Sequence, residues 1–256
     1  MKWAIPERSQ RSIEQSAAYW EKIHQKERYN NVLSLTDDPG VCDRIAGTLR
    51  DHKAKEILVP GAGSRTGLQE RLVAELPQLQ RLVCSDFPGV IALGEKNFSH
   101  PLVDYRAADS TSLPWSAEFD AAIVVNSILS DSDRENRQML ASIRETLRPE
   151  GVLVGFFPTV FASFEIASVS NDHERQATVD LERSTKYEPA QDDHQIFYTP
   201  LRLRMILREA GFEIASMEVY FLDSDYFRAE ENEWNEFTIE DEDLVLYEHY
   251  VVARAI

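Results

Sequence analysis

Short apolar runs alternate with amphipathic segments between positions 57 and 157 of the chain. Each run is rich in β-branched or other apolar residues and is bounded by polar, glycine or proline residues, which is typical of a buried strand. The predicted strands are Ile57–Val59, Arg81–Ser85, Leu102–Ala107, Ala121–Val125 and Val152–Phe157. Apolar residues at helical spacing predict helices at Thr66–Leu76, Gly89–Asn97 and Asp133–Leu147. This alternation predicts a doubly wound α/β sheet with parallel strands and right-handed crossovers.

The pattern changes on both sides of this region. Residues 8–30 combine charged and aromatic side chains with apolar residues at helical spacing, which predicts a helix or a helix pair, and residues 40–51 predict another helix. Residues 159–199 have no regular period, and a segment this long predicts an insertion with a helix of its own. A helix at Pro200–Ala210 and strands at Phe212–Tyr220 and Leu244–Ala255 are predicted to follow.

Composition narrows the choice of partners. The chain has 256 residues, of which 43% are hydrophobic, and a formal net charge of -17, so it can form a core but repels a phosphate backbone. Ten carboxylates against one arginine lie in the acidic segment 221–243. Cys42 and Cys84 imply no disulfide framework, and neither a signal peptide nor an apolar stretch of transmembrane length is visible. We therefore expect a cytoplasmic protein that binds neither nucleic acid nor membrane.

A glycine-rich turn follows the first predicted strand, in the segment Glu56–Gly67 that reads EILVPGAGSRTG. Such a turn allows the backbone to approach a ligand closely. A phosphate-binding loop would require a lysine after the last glycine, and none follows Gly67. A dinucleotide fingerprint would require a spacing one residue shorter than that of Gly61, Gly63 and Gly67. S-adenosylmethionine carries no phosphate and is the third candidate ligand.

Residues after the next strands favour this third ligand. Asp86 ends the second strand about 20 residues past the glycines, where a carboxylate can accept both hydroxyls of a ribose, although helix N-capping is an alternative role. The run DSTSLPWSAEFDAAIVV begins at Asp109, and LRPEG and LREAGF follow downstream. In these motifs, over residues 40–158 and 199–256, the chain resembles the class I S-adenosylmethionine-dependent methyltransferases.

The resemblance implies a Rossmann-like sheet of seven strands in which the last strand is antiparallel. It also implies one methyltransferase domain, 1–256, in which 40–158 and 199–256 form the core. Residues 1–39 would be an N-terminal helical cap, and residues 159–198 would be a cap insertion. The family usually has an acid two residues before the first glycine, whereas this chain has Val59 there, as do some thiopurine-type and carnosine-type branches that also read Val-Pro-Gly.

By resemblance, S-adenosyl-L-methionine would bind along the carboxyl ends of the strands and leave as S-adenosyl-L-homocysteine. Gly61, Ala62 and Gly63 would approach its methionine and ribose parts, and Arg65 could pair with its carboxylate. Asp86 would hold the ribose, and Phe87 would flank the adenine. Asp109 and Ser110 would bind the adenine edge. Asn126 would lie where the cofactor meets the acceptor, with helix capping as an equal alternative.

The acceptor pocket is predicted from residues outside the common core. The candidates for contact with the acceptor are Tyr19, Trp20, Tyr29, Ser127, Phe161 and Phe197. His194 and Tyr198 are the candidate proton acceptors, and no metal site is predicted, because Asp192, Asp193 and His194 read as a solvated loop.

The predicted function is methyl transfer from S-adenosylmethionine to an N or O atom of a small molecule, with a cationic amine as one candidate. Two alternatives stay open at this point. One is aminopropyl transfer on the same fold, and the other is a non-catalytic protein that binds the cofactor or acts as a scaffold.

Overall fold

The computed structural model describes residues 13–24, 34–169, 178–188, 193–222 and 246–256. The seven strands of its main sheet are β1 (Glu56–Pro60), β2 (Arg81–Asp86), β3 (Val103–Ala107), β4 (Phe119–Val125), β5 (Leu147–Pro158), β9 (Phe212–Leu222) and β10 (Leu246–Ala255). Their order in the sheet is β3-β2-β1-β4-β5-β10-β9. All neighbouring pairs are parallel except those of β10, which runs antiparallel to both β5 and β9. The predicted Rossmann-like sheet with its inserted antiparallel last strand is confirmed.

Helices cover both faces of this sheet. They are α1 (Ile13–His24), α2 (Pro39–Asp51), α3 (Gly67–Glu75), α4 (Pro88–Asn97), α5 (Asp133–Thr146), α6 (Val160–Val169) and α7 (Pro200–Glu209). Several of them begin at a residue that satisfies free amides of the first turn: Asp38 accepts from the Val41 amide in α2, and Thr199 accepts from the Arg202 amide in α7. Proline at the first position of α2 and α7 fits the helix start as well.

The core consists of two apolar layers separated by the sheet, because alternate strand residues point to opposite faces. Ile57 and Val59 of β1 face one layer, and Leu58 faces the other. The helices α2 and α3 close the first layer through the buried residues Val41, Ile45, Leu49, Leu68 and Leu72. The helices α5 and α7 close the second layer through the buried residues Leu140, Ile143, Leu203, Ile206 and Leu207.

The insertion after β5 holds the predicted helix and one element that the sequence did not predict. The helix is α6, and beyond it β6 (Val179–Asp180), β7 (Thr185–Glu188) and β8 (Asp193–Ile196) form a small antiparallel sheet. Strands of two to four residues are too short to show an alternating pattern, which explains why the periodicity gave no sign of them. Within the described residues, no helix combines the length and the apolar character needed to cross a membrane.

Candidate cofactor-binding and active site

The loop after β1 has the backbone geometry that its glycines permit. Gly61 has φ of +66° and Gly63 has φ of +69°, in the left-handed region that other residues rarely adopt. A Cβ atom on Gly61 would lie 2.6 Å from the Cβ atom of Ser127, so the loop packs closely against the chain that leaves β4. Ala62, between the two glycines, is buried, and its amide donates to the Ser85 carbonyl at 3.1 Å.

The Asp86 carboxylate organises this loop from the end of β2. It accepts hydrogen bonds from the Gly63 amide at 2.8 Å and from the Phe87 amide at 2.7 Å. Burial raises the pKa of the carboxyl to about 6, although both amides act in the opposite direction. The two bonds use about half of the acceptor positions of a carboxylate, so Asp86 retains acceptor capacity toward a ligand. Phe87 follows it and is partly exposed at the start of α4.

The residues predicted to contact adenine lie at the same edge of the sheet, after β3. Asp109 is half-buried and accepts from the Thr111 amide at 2.8 Å, which fixes the turn that contains Ser110. Arg65 is placed differently from the prediction. Its guanidinium pairs with Asp37 at 2.6 Å in the short 3-10 turn Leu35–Asp37, so a cofactor carboxylate would have to share it with Asp37.

Asn126 follows β4 and is bound to a carboxyl group that the sequence reasoning missed. Asn126 has φ of +48°, and its side-chain amide donates to Glu248 Oε1 at 2.8 Å. Glu248 on β10 is 7% exposed, and burial raises the pKa of its carboxyl to about 7. A charged residue between Leu246 and Tyr250, at an inward position of a predicted central strand, was the signal available in the sequence.

The helix α1 packs on the glycine loop and on α4. If Gly63 carried a Cβ atom, that atom would lie 3.6 Å from Cε1 of the His24 ring, so the ring packs against the loop. The Nδ1 atom of His24 is 3.0 Å from Ser64 Oγ. Burial and, to a smaller degree, the charge of Arg65 lower the pKa of His24 to about 4. Glu21 accepts from the Gly89 amide in the first turn of α4 at 2.8 Å. The sequence reasoning identified neither of these two docking residues.

Two predicted acceptor contacts lie on this helix, and a third is outside the described residues. The Tyr19 and Trp20 rings meet edge to face with centroids 5.3 Å apart, and both side chains are partly exposed. Tyr29 lies in residues 25–33, outside the described residues. Ser127, by contrast, lies directly against Gly61, and its Oγ atom is buried with no hydrogen-bond partner among the described residues.

The candidates from the insertion lie on α6 and on or next to β8. Phe161 on α6 is 42% exposed, and Phe197 lies after β8 with Lys186 Nζ 5.6 Å from its ring centroid. His194 on β8 packs beside Tyr187, with ring centroids 5.1 Å apart.

Tyr198 does not fit its predicted role as a proton acceptor. Its side chain is 0% exposed, and its hydroxyl donates to the Ile128 carbonyl at 2.9 Å. Burial also raises the pKa of this phenol well above its ordinary value. Tyr198 therefore anchors the insertion to the chain that follows β4. The described residues contain no cluster of three or more side chains that could hold a metal ion.

No protein-family model matches the chain, and no curated protein matches it in sequence. Solved structures match it in fold. The 1,6-didemethyltoxoflavin-N1-methyltransferase of Burkholderia thailandensis, solved with 1,6-didemethyltoxoflavin and S-adenosylhomocysteine bound, is 16% identical, with 98% of this chain and 94% of that chain covered and a TM-score of 0.63. The N-methyltransferase NodS of Bradyrhizobium japonicum, solved with S-adenosylhomocysteine, is 13% identical, with 94% and 98% covered and a TM-score of 0.57.

A third match has a different stated activity. The [4+2]-cyclase SpnF is 20% identical, with 83% of this chain and 81% of that chain covered and a TM-score of 0.54. At these identities the likenesses show that the chain has the fold of S-adenosylmethionine-dependent methyltransferases. Because the same fold occurs in a cyclase, the reaction has to be argued from the residues of the site.

Proposed function

We propose that this protein is an S-adenosylmethionine-dependent methyltransferase that acts on an N or O atom of a small molecule. The observation that carries the proposal is the pairing of Asp86 with the glycine loop. A carboxylate with spare acceptor capacity is fixed 2.8 Å from the Gly63 amide, beside a backbone that a ligand can approach closely. A ribose next to the methionine part of a cofactor is complementary to that arrangement.

The order of the strands supports the same ligand. Asp109 follows β3, Asp86 ends β2, Gly61 and Gly63 follow β1, and Asn126 follows β4, and these four strands are adjacent in the sheet. Neighbouring strands are about 4.8 Å apart, so the four positions form a row at one sheet edge. An elongated ligand made of a base, a ribose and an amino acid fits such a row. When bound, the cofactor supplies an electrophilic methyl group on a sulfonium.

The protein's share of the chemistry is positioning and exclusion of water. Displacement at a methyl group requires the acceptor atom in line with the bond that breaks, which orientation alone can accelerate strongly. We propose that residues 1–39 and 159–198 form the cap that encloses the acceptor. The support for this is that α1 docks on the glycine loop through His24 and on α4 through Glu21. Enclosure by both segments would exclude water from the acceptor.

Several partner and compartment assignments accompany this proposal. We assign a small-molecule acceptor, with neither nucleic acid nor membrane as a partner, on the basis of the charge of -17. We also assign a reducing, cytoplasmic location, for which the two buried free cysteines are the support.

Calorimetric titration with S-adenosylhomocysteine tests the proposal. Wild-type protein should bind it, and Asp86→Ala should weaken binding by about 2–4 kcal/mol because hydrogen bonds to a charged acceptor are lost. Asp51→Ala, at the exposed end of α2, is the matched control and should bind as the wild type does. Equal affinity of folded Asp86→Ala and wild type would remove Asp86 from the cofactor site.

The two alternatives give different results in the same experiment. An aminopropyl transferase should bind decarboxylated S-adenosylmethionine better than S-adenosylmethionine, whereas a methyltransferase should not. A non-catalytic cofactor-binding protein should bind S-adenosylhomocysteine but should not convert S-adenosylmethionine to S-adenosylhomocysteine in the presence of any acceptor.

A further inference from the structure

We propose that Glu248, positioned by Asn126, binds the amino group of the methyl acceptor and accepts its proton. This rests on the proposed function, and it assigns the acceptor class, an amine, together with the residue that recognises it. Three observations carry the inference: the place of Glu248 in the sheet, the unsatisfied polar atoms around it, and the absence of a cationic partner among the described residues.

Glu248 lies beyond the methionine end of the proposed cofactor row. Its strand, β10, is antiparallel to β5, so the first residues of β10 reach the carboxyl edge of the parallel strands. Glu248 is in register with Pro158, the last residue of β5. From β3 to β4 the row is occupied by the groups proposed to hold adenine, ribose and methionine. The next positions along this edge, over β5 and β10, are therefore on the acceptor side.

Three buried oxygen atoms near this edge have no hydrogen-bond partner among the described residues. They are Glu248 Oε2, Asn126 Oδ1 and Ser127 Oγ. Buried polar atoms in folded proteins are nearly always satisfied, so such a group indicates a ligand or water that completes it. The carboxylate and the amide oxygen can only accept hydrogen bonds. A ligand that satisfies both must present more than one donor hydrogen, which an amine does and a hydroxyl does not.

The described residues around Glu248 provide no counter-ion for it. No lysine or arginine among the described residues forms an ion pair with it, and the Asn126 amide is its one polar contact there. Tyr220 on β9 and Tyr250 on β10 lie on its face of the sheet, against α2, whose N-cap Asp38 is buried. Arg65 pairs with Asp37, and His249 points to the opposite face of the sheet.

An isolated buried carboxyl is costly, and burial raises the pKa of Glu248 to about 7, near the value that suits a general base at neutral pH. The transfer step then balances. The amine lone pair forms a bond to the methyl carbon, the carbon–sulfur bond breaks, and its electron pair neutralises the sulfonium. The proton of the acceptor nitrogen goes to Glu248 Oε2, and from there to solvent. Asn126 does not react; it holds the carboxylate toward the acceptor.

Glu248→Gln tests this, because glutamine keeps the shape and cannot take the proton. Glu213→Gln, exposed at the other end of the sheet in register with Arg254, is the matched control. The probes are S-adenosylhomocysteine, methylthioadenosine, and a panel of primary aryl- and alkylamines with the corresponding alcohols. We expect Glu248→Gln to bind S-adenosylhomocysteine as wild type does and to lose at least about 100-fold in amine turnover. The control should change neither.

Asn126→Gly keeps the positive φ and removes the amide, so it tests positioning. The amide holds the pKa of Glu248 down, so its loss should move the acid limb of the kcat/KM profile to higher pH.

Equal amine turnover by Glu248→Gln and wild type would overturn the proposal, as would wild type that accepts only alcohols or no amine of the panel. A loss of affinity for S-adenosylhomocysteine with unchanged affinity for methylthioadenosine would also overturn it, because Glu248 would then hold the cofactor's own amino group. Failure of wild type to bind S-adenosylhomocysteine is a separate result, which refutes the proposed function itself.

Discussion

Acidification should release α1 from the glycine loop. His24 is 7% exposed, its ring nitrogen bonds Ser64 Oγ, and its pKa in the docked helix is about 4, against an ordinary value of 6.5. The undocked helix therefore binds more protons than the docked helix between these two values. Docking strengthens as pH rises through this window and weakens as pH falls from 6.5 toward 4.

The size of the effect follows from the two pKa values. As the pH falls from 7.5 to 5, the protonated fraction of His24 rises far more in the undocked helix than in the docked helix. The difference weakens docking about 30-fold, or about 2 kcal/mol. The other docking contact is the hydrogen bond that the Gly89 amide donates to Glu21.

Hydrogen exchange measures this directly, because protection factors remove the dependence of the intrinsic exchange rate on pH. Amides of α1 should lose about 30-fold in protection between pH 7.5 and pH 5, while amides of β1 and β4 keep theirs. Asp86 also has a pKa of about 6 and titrates in this window, so a variant is needed to separate the two groups.

His24→Gln makes that separation, since it removes the histidine and leaves Asp86 unchanged. The variant should show little of the pH effect, whereas His52→Gln, at the exposed end of α2, should show all of it. Equal pH dependence in His24→Gln and wild type would assign the effect to Asp86 and refute the reasoning about His24.

Two further predictions concern packing and burial. Gly155→Ala should lower the free energy of unfolding by about 1–3 kcal/mol in urea titrations, because its Cβ would lie 2.5 Å from Val124 Cγ2. Gly47→Ala, within α2 and with nothing within 4 Å of its Cβ, should instead raise it by about 0.5–1 kcal/mol. Burial raises the pKa of Cys42 and Cys84 to about 12, so an aromatic disulfide reagent should label neither thiol at pH 8 until denaturant is added; rapid labelling of native protein would contradict this.

That the residues of the proposed cofactor row lie together could be predicted from the sequence, because parallel strands end at a common edge. Gly61, Asp86, Asp109 and Asn126 each follow or end a strand, so finding the strands was enough to bring these residues to one edge. The same rule missed Glu248, because β10 is antiparallel and its first residues, rather than its last, reach that edge. Strand direction is set by the whole topology and not by the local pattern.

The surroundings of Tyr198 and His24 depend on contacts between distant parts of the chain, which the sequence did not reveal. Tyr198 has the chemistry of a proton acceptor, but its hydroxyl donates to the Ile128 carbonyl, 70 positions away in the sequence. His24 reads as an ordinary residue of an amphipathic helix, but it is buried where it contacts Ser64, 40 positions away, and this burial, together with the charge of Arg65, lowers its pKa. Periodicity carries no information about such separations.

The distribution of buried carboxyl groups differs from the usual arrangement of the fold. Where the methyltransferases that the sequence resembles usually have an acid before the first glycine, this chain has Val59, which is 3% exposed and packs in the core. Two partly or fully buried acids lie elsewhere along the proposed site: Asp86, on the ribose side of the loop, and Glu248, on the acceptor side. Two carboxylates on either side of the proposed sulfonium position would favour the cationic cofactor over its neutral product. Methyl transfer removes that positive charge, so this attraction is absent in S-adenosylhomocysteine, which would bind less tightly than S-adenosylmethionine.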